Sequence, residues 1–279
     1  MDITLNGKTV ILTGAGGGIG SVITSYFRKS GAKLILVDIS EEFLDNVHDS
    51  AYDDDYYFCD ISDQEAVQEF FNEISRKYSR IDVLINNAGI QAPIGQFHTN
   101  PLDLWKHNID VNLIGAVHMS WYVIPVMIKQ RKGKIINLSG GGSTSPRPNF
   151  SAYAVAKTGV VKFTEELAVE LRDFGIDVNA ISPGAINTRM LDEVLACGNI
   201  AGEEYMTSMK RKADGGNDPS IAAELICFLA SNASDGITGK LISAPWDPWR
   251  ELDFQDQLRN DKDLATLRRI DNKYYIRKS

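Results

Sequence analysis

Cysteine and histidine are scarce in this chain, and neither residue type is spaced as a metal or redox site. The 279 residues include three cysteines, Cys59, Cys197 and Cys227, and four histidines. The cysteines lie far apart without a CxxC pair, which argues against a disulfide framework and a structural zinc site. The histidines form no HExxH motif. We therefore expect no metal centre.

The chain also has no excess of basic residues and no long apolar run. There are 29 Lys and Arg against 37 Asp and Glu, a formal net charge of −8, which argues against broad binding to nucleic acid or anionic membranes. The N-terminal apolar stretch is too short for a signal peptide. The most apolar later region, Leu113 to Ile128, is broken by Asn112 at its start and by His118 and Pro125 within it, and is expected to fall short of a membrane span. We expect a soluble, cytoplasmic protein with neither kind of partner.

Short β-branched runs alternate with segments of helical periodicity along the chain. Apolar residues spaced i, i+3, i+4, i+7 and i+8 from Ile19 predict an amphipathic helix that ends at Gly31, and a similar stripe runs from Val160 to Leu171. The runs between them are almost wholly apolar, as in parallel strands covered on both faces. The pattern predicts an α/β fold with a doubly wound parallel sheet. The predicted strands are Thr9–Leu12, Leu34–Val37, Tyr56–Phe58, Val83–Ile85, Lys134–Leu138, Asp177–Ile181 and Lys240–Ser243.

Two segments do not follow this alternation. Residues 189–218 separate the sixth strand from the next helical pattern, and residues 246–279 follow the last strand. Long insertions after the carboxyl end of a parallel strand usually cover the ligand crevice. We predict one domain, residues 1–245, that includes a substrate loop at 189–218. The C-terminal tail either packs on the core or a neighbouring subunit, or acts as a lid whose two tryptophans contact substrate.

A glycine-rich segment, Thr-Gly-Ala-Gly-Gly-Gly-Ile-Gly at residues 13–20, follows the first predicted strand and opens the first predicted helix. Glycines let the backbone turn tightly and approach a pyrophosphate, which then lies at the positive N-terminus of the helix. Such a cluster also occurs in ordinary loops, but the strand–turn–helix context favours a dinucleotide site.

Asp38 ends the second predicted strand, where a carboxylate can accept hydrogen bonds from two ribose hydroxyls and repel a 2′-phosphate. Neither Gly17 nor Ile39, the positions at which a phosphate-binding cation could stand, is basic. These residues favour NAD over NADP. In the alternative interpretation, Asp38 only forms the turn that ends the strand.

Tyr153 and Lys157 are spaced i, i+4 and lie on one face of a predicted helix. A nearby cation stabilises a phenolate and lowers the pKa of the tyrosine toward the range of an acid/base catalyst. This pair occurs on many surface helices, so its value depends on the other motifs.

Taken together, the motifs resemble those of the short-chain dehydrogenases/reductases, in their compact single-domain subgroup, over roughly residues 5–245. The resemblance implies a Rossmann fold and a nicotinamide dinucleotide cofactor, for which Asp38 favours NAD. The matching segments are TGAGGGIG at 13–20, Asp38, Asp60 in Cys-Asp-Ile, Asn-Asn-Ala-Gly at 86–89, Asn112 in Val-Asn-Leu, Tyr153, Lys157 and SPGAINT at 182–188.

The resemblance also implies a role for each matching position. The pyrophosphate turn would be lined by Gly14, Gly18, Ile19 and Gly20. Asp38 and Ile39 would lie at the adenosine ribose, with Asp60 and Ile61 around the adenine. The nicotinamide side would be formed by Asn87, Ala88, Gly89, Pro183, Gly184, Ile186 and Thr188.

In the same family pattern Tyr153 would be the general acid/base. Lys157 would bind the nicotinamide ribose and lower the Tyr153 pKa, and Asn112 would bind a water in a proton relay. The family's catalytic serine is missing, because its usual offset from Tyr153 falls on Gly140 in the sequence Leu-Ser-Gly-Gly-Gly-Ser-Thr at 138–144. Ser139 is the favoured replacement, since glycines permit rearrangement. Ser143, or no hydroxyl at all, is the alternative.

These assignments predict an NAD-dependent oxidoreductase that transfers a hydride between the nicotinamide and a secondary alcohol or ketone. The polar residues around the loop suggest a small sugar-like or cyclic substrate. Two alternatives are an NAD(H)-binding sensor or scaffold that has lost turnover, and an epimerase or dehydratase on the same fold. Met119, Trp121 and Met127 lie on a largely apolar helix and are either core or subunit-interface residues. The interface is considered because family members commonly pair this helix and the Tyr153 helix between subunits. A homo-oligomer, tetramer or dimer, is therefore expected.

Overall fold

Seven parallel strands form one sheet in the order β3-β2-β1-β4-β5-β6-β7 in the computed structural model, which describes residues 3–41, 43 and 52–270. Each predicted strand is present, with its ends within one residue of the prediction. The doubly wound α/β prediction is confirmed. The strands are β1 Thr9–Thr13, β2 Lys33–Asp38, β3 Asp55–Phe58, β4 Val83–Asn86, β5 Gly133–Leu138, β6 Ile176–Ser182 and β7 Leu241–Ser243.

Helices cover both faces of the sheet because side chains of each strand alternate between two buried layers. In β1, for example, Val10 and Leu12 face one apolar layer and Ile11 faces the other. Helices α1 and α8 complete the first layer, and α2, α4 and α5 complete the second. The helices are α1 Gly18–Lys29, α2 Gln64–Lys77, α3 Leu102–Ile109, α4 Gly115–Gln130, α5 Ser151–Glu170, α6 Arg189–Cys197, α7 Glu203–Asp214, α8 Pro219–Ala230 and α9 Leu252–Asn260.

A π-helical turn, Asp110–Ile114, joins α3 to α4 without a break. The resulting stretch, Leu102–Gln130, has 29 residues and is long and apolar enough to cross a membrane by length and composition alone. The apolar helical stretch is therefore longer than the region Leu113 to Ile128 considered in the sequence. Core helices of globular proteins meet the same two criteria, and here Met119, Val123 and Met127 are fully buried against the sheet.

The two segments that interrupt the alternation have defined structure. The predicted loop at 189–218 contains α6 and α7, and we refer to this pair of helices as the cap. The tail runs back over the core through α9. Its Ala265 carbonyl accepts a hydrogen bond from the Leu241 N–H at the edge of β7. Residues 271–279 of the predicted tail lie outside the described residues.

The chain reverses its direction of winding between β1 and β4, which are neighbours in the sheet but not in sequence. The first three strands extend the sheet to one side and the last four to the other. The loops after β1 and β4 therefore leave the sheet in opposite directions and open a crevice at its carboxyl edge. This crevice is where the predicted site residues converge.

Candidate active site

The glycine turn after β1 and the loop after β4 are bound directly to one another. The Thr13 Oγ1 atom accepts the N–H groups of Asn87 and Ala88, each at 3.1 Å. In return, Asn87 Nδ2 donates to the carbonyls of Thr13 and Gly14 at 2.9 Å. Gly14 has φ +65°, and a Cβ atom there would lie 2.7 Å from Ala88 Cα, so only glycine fits.

The N-terminus of α1 is free of side-chain caps. Gly17 is the N-cap residue and makes no side-chain hydrogen bond, and the first turn contains no acidic residue. The positive end of the helix dipole and its first N–H groups can therefore interact with an anion. Thr188 reaches this point from the loop after β6, since a Cβ atom at Gly18 would lie 3.0 Å from Thr188 Cγ2. These residues fit a dinucleotide pyrophosphate.

Asp38 lies beside the same turn. Its Oδ2 accepts the Gly16 N–H at 2.8 Å and its Oδ1 accepts the Ser40 N–H at 3.0 Å. Each carboxylate oxygen can accept a second hydrogen bond, so the group can still bind ribose hydroxyls. Ile39 is exposed next to it. Across the site, Asp60 Oδ1 accepts from the backbone and hydroxyl of Ser62, and Ile61 is buried.

The loop after β6 is held in place by Asn217, which the sequence did not single out. Asn217 Oδ1 accepts the Ala185 N–H and the Asn217 N–H donates to the Ala185 carbonyl, both at 2.8 Å. Gly184 has φ +88° and Pro183 beside it is buried. Ile186 pairs with Gly216 in an isolated antiparallel bridge. Residues 216 and 217, which directly follow the cap, thus position the segment expected to contact the nicotinamide.

Tyr153 and Lys157 are both buried on α5, where they face the end of β5. Lys157 Nζ donates to the Leu138 carbonyl at 2.9 Å and lies 5.7 Å from the centre of the Tyr153 ring. Burial lowers the pKa of Lys157 to about 8 and raises the pKa of Tyr153. Burial disfavours the charged form of each group, which explains the opposite directions.

Asn112 lies in the π-helical turn and is bonded to the loop after β4. Its Nδ2 donates to the Ile90 carbonyl at 2.8 Å, and its Oδ1 accepts the Ile90 N–H at 3.3 Å. A Cβ atom at Gly89 would lie 2.5 Å from Asn112 Oδ1 and 3.4 Å from Lys157 Nζ. Gly89, Asn112 and Lys157 therefore meet at one point, and π-helical turns are frequent at functional sites.

Gly140 leaves the space that the Tyr153 phenol occupies. A Cβ atom at this position would lie 2.9 Å from Tyr153 Cζ and closer still to Oη. No hydrogen bond joins either serine hydroxyl to Tyr153 among the residues that the structure describes. The Ser139 hydroxyl is buried there without a hydrogen-bond partner, and the Ser143 carbonyl accepts from Thr158 Oγ1. The choice between the two serines stays a prediction.

Arg147 also lies beside Tyr153, although no sequence motif identified it. Its guanidinium carbon is 3.9 Å from the centre of the Phe150 ring and 5.6 Å from that of the Tyr153 ring. It donates to Glu204 Oε1 on the cap at 3.1 Å. The positive charge of Arg147 lowers the pKa of Tyr153 and so opposes the larger effect of burial. Only the folding of the 138–150 loop brings this residue into the site.

The comparisons with known proteins agree with the fold. The family model for short chain dehydrogenases matches residues 8–196. The 3-oxoacyl-[acyl-carrier-protein] reductase FabG of Thermotoga maritima is 36% identical over 243 residues, which are 85% of this chain and 96% of that protein.

Two solved structures share the fold over nearly their whole length. An NAD⁺-bound xylitol dehydrogenase superposes with a TM-score of 0.79 at 27% identity, covering 85% of this chain and 97% of its own. A Beutenbergia cavernae protein described as an NAD(P)-dependent gluconate 5-dehydrogenase, with NADP bound at low occupancy, superposes with a TM-score of 0.76 at 28% identity. The match covers 86% of this chain and 96% of that one. With the family model matching 8–196 and a relative at 36% identity, the chain belongs to the short-chain dehydrogenase family of oxidoreductases.

Proposed function

We propose that this protein is an NAD-dependent oxidoreductase that interconverts a secondary alcohol and its ketone in the crevice at the carboxyl edge of the sheet. The observation that carries the proposal is the convergence of Tyr153 and Lys157 with Gly89 and Asn112, beside the uncapped N-terminus of α1. A bound nicotinamide would supply or accept the hydride. The protein's own residues would bind and orient the cofactor and the substrate, and would transfer the proton.

Tyr153 is the residue we assign to proton transfer. In the oxidative direction its phenolate oxygen takes the hydroxyl proton of the alcohol, and in the reductive direction the phenol returns a proton to the carbonyl oxygen. Lys157 is fixed by its hydrogen bond to the Leu138 carbonyl, which leaves its other N–H groups for a ribose hydroxyl. Asn112 keeps the backbone at Ile90 in place.

Asp38 supports NAD as the cofactor. Its carboxylate lies within 2.8 Å of the Gly16 nitrogen, so a 2′-phosphate bound beside the glycine turn would meet a negative charge. The exposed neighbour Ile39 offers no cation to compensate. The solved relatives include one with NAD⁺ and one with NADP, so residue chemistry at position 38 is the basis for the choice.

A polar, sugar-like or cyclic substrate fits the wall of the crevice better than an acyl carrier protein does. Arg147 lies beside Tyr153, and Gln91 accepts a hydrogen bond from Arg147. A carrier protein needs a basic docking patch, and the basic run on α7 is largely neutralised: Arg211 pairs with Glu204 and Lys212 with Asp192. The solved xylitol dehydrogenase acts on a substrate of the polar class.

The proposal is tested by measuring binding of NADH and NADPH, and turnover of a panel of polyols, sugars and cyclic ketones. We expect NADH to bind at least about tenfold more tightly than NADPH, and Asp38→Asn to reduce that preference. Asp63→Asn is the matched control, because Asp63 also accepts two backbone N–H groups but caps α2. A preference for NADPH in the unmodified protein would contradict the cofactor assignment.

The Tyr153→Phe variant tests the chemistry. We expect it to bind NADH normally and to lose at least about a hundredfold in turnover, the usual contribution of a general acid/base. Tight NADH binding without turnover of any substrate in the unmodified protein would instead support a sensor or scaffold, the function that Gly140 favours. Product formation without net change in NADH would indicate an epimerase or dehydratase.

A further inference from the structure

Two cations from different elements face the ring of Tyr153. Lys157 Nζ lies 5.7 Å from the ring centre and belongs to α5, and Arg147 Cζ lies at 5.6 Å and belongs to the loop after β5. The cap contributes Glu204, which contacts Arg147 at 3.1 Å, and Arg211, which lies 3.6 Å from Glu204. Two guanidinium groups thus share one carboxylate, and a net positive charge remains next to the phenol.

The two cations differ in how firmly they hold their charge. Burial lowers the pKa of Lys157 to about 8, so its ammonium loses a proton as the pH rises through that value. Burial therefore weakens Lys157 as the cation beside Tyr153. Arg147, whose guanidinium is delocalised and paired with Glu204, is a second positive charge there.

Arg147 is also held rigidly in this position. Its plane stacks on Phe150, its Nη2 donates to Glu204, and its Nη1 lies 3.4 Å from Gln91 Oε1. The side chain is only 15% exposed. A guanidinium fixed by stacking and by hydrogen bonds at both ends keeps its orientation relative to the ring.

Two of the three glycines after Ser139, Gly140 and Gly142, make room for this arrangement. A Cβ atom at Gly142 would lie 2.8 Å from Ala154 Cβ and 3.1 Å from Arg147 Cβ. Gly140 meanwhile lets the phenol approach the backbone of the loop. The segment that lacks the usual hydroxyl is thus the one that brings the guanidinium to Tyr153.

We propose that Arg147 is a positioning residue of the proton-transfer step, which favours the phenolate of Tyr153 and compensates for the hydroxyl missing at Gly140. The inference rests on the proposed function, in which Tyr153 exchanges a proton with substrate. Arg147 acts through Tyr153 and needs no contact with the reacting atoms. The balance of the reaction is unchanged, since the proton still passes between the substrate oxygen and Tyr153 Oη.

The experiment titrates Tyr153 directly. The near-ultraviolet phenolate absorbance is recorded against pH for the unmodified protein and for Arg147→Gln, Arg147→Lys, Glu204→Gln and Arg211→Gln. The same spectra are recorded with Tyr153→Phe added to each, because subtraction removes the other nine of the ten tyrosines. Circular dichroism limits the comparison to the pH range in which all the proteins stay folded.

We expect the Tyr153 midpoint to rise by about one pH unit in Arg147→Gln, as when one neighbouring opposite charge is lost. At pH values below the midpoint, turnover in the oxidative direction is then about tenfold lower than in the unmodified protein. Arg147→Lys restores part of the shift, since it keeps the charge. Arg211→Gln leaves the midpoint unchanged, and Glu204→Gln leaves it unchanged or lowers it.

An unchanged midpoint in Arg147→Gln, or no ionisation of Tyr153 in either protein, would overturn the proposal. Equal upward shifts of the Tyr153 midpoint in Arg147→Gln and Glu204→Gln would overturn it too. That result would mean that the Arg147–Glu204 ion pair acts only by holding the loop against the cap. These outcomes differ from failure of the proposed function. If the proposed function is wrong, Tyr153→Phe turns over substrate at the same rate as the unmodified protein.

Discussion

At the scale of single residues, two features distinguish the site: a side chain is absent at Gly140, and Arg147, which no sequence motif indicated, lies beside Tyr153. Gly140 stands where the family pattern places a hydroxyl, and the Tyr153 phenol occupies the space beside it. Arg147 reaches the same phenol from six residues earlier in the chain. The family resemblance predicts a serine at position 140, from its usual offset to Tyr153. It gives no sign of Arg147, whose place depends on how a glycine-rich loop folds.

Gly140→Ala should impair catalysis without unfolding the protein. The added Cβ atom would lie 2.9 Å from Tyr153 Cζ, so the phenol must turn away from its present position. We expect kcat to fall about tenfold, which is a barrier increase of about 1.4 kcal/mol. Steady-state kinetics in the direction of alcohol oxidation measure this change.

Gly141→Ala is the matched control for this substitution. A Cβ atom at Gly141 meets nothing closer than 3.7 Å, and the residue lies in the same loop. We expect its kcat to stay within about twofold of the unmodified protein, since the new methyl group displaces nothing. Equal losses in both variants would show that loop flexibility, and not the position of Tyr153, explains the effect.

At the scale of elements, the strands were predictable and the cap and tail were not. Buried parallel strands need continuous apolar runs, and turns between them need glycine or a capping residue, so the sequence marks both. The cap carries few buried residues, among them Leu191 and Val194 on α6, so its apolar pattern in the sequence is weak. The tail likewise contains two tryptophans in similar sequence surroundings, of which one is buried and one is not.

Trp249 should contribute strongly to the free energy of unfolding through its packing in the tail. It is 2% exposed, its Nε1 donates to the Ala244 carbonyl at 3.0 Å, and its ring lies 6.0 Å from that of Phe228. We expect Trp249→Ala to lower the free energy of unfolding by about 3–5 kcal/mol, the usual cost of removing a buried aromatic side chain. Urea denaturation followed by circular dichroism measures the loss.

Trp246→Ala provides the comparison within the same segment. Trp246 is 71% exposed, so its removal should change the free energy of unfolding by less than about 0.5 kcal/mol. A drop in substrate affinity in this variant, with stability unchanged, would support the lid function for the tail. Similar destabilisation by both substitutions would contradict the burial of Trp249 against α8.

At the scale of the whole molecule, the exposed apolar side chains suggest where copies of the chain meet. Met119 and Met127 on α4 are fully buried, as core residues, whereas Trp121 on the same helix is 72% exposed. Val155 and Val169 are exposed on α5. Large apolar side chains left in solvent often mark association sites. The homo-oligomer expected from the family pattern therefore remains a prediction, with α4 and α5 as its interface.

Trp121→Arg should reduce the oligomer to smaller species, because a charge at the interface core loses its hydration without gaining a partner. Sedimentation velocity at several protein concentrations measures the change. Trp246→Arg is the control, since Trp246 is equally exposed but lies on the tail. Sedimentation of the unmodified protein as a monomer would rule out the prediction, as would an oligomer that Trp121→Arg leaves intact.

The sequence by itself determined the α/β fold, the seven strands and the order of the motifs along the chain. Each of these follows from local information, such as apolar periodicity, glycines at required turns and the i, i+4 spacing of Tyr153 and Lys157. The tertiary structure alone decided which distant residues share a surface: Thr13 with Asn87, Ala185 with Asn217, and Tyr153 with Arg147. Those contacts depend on strand order and loop conformation, which arise from packing of the whole chain and leave no periodic trace in the sequence.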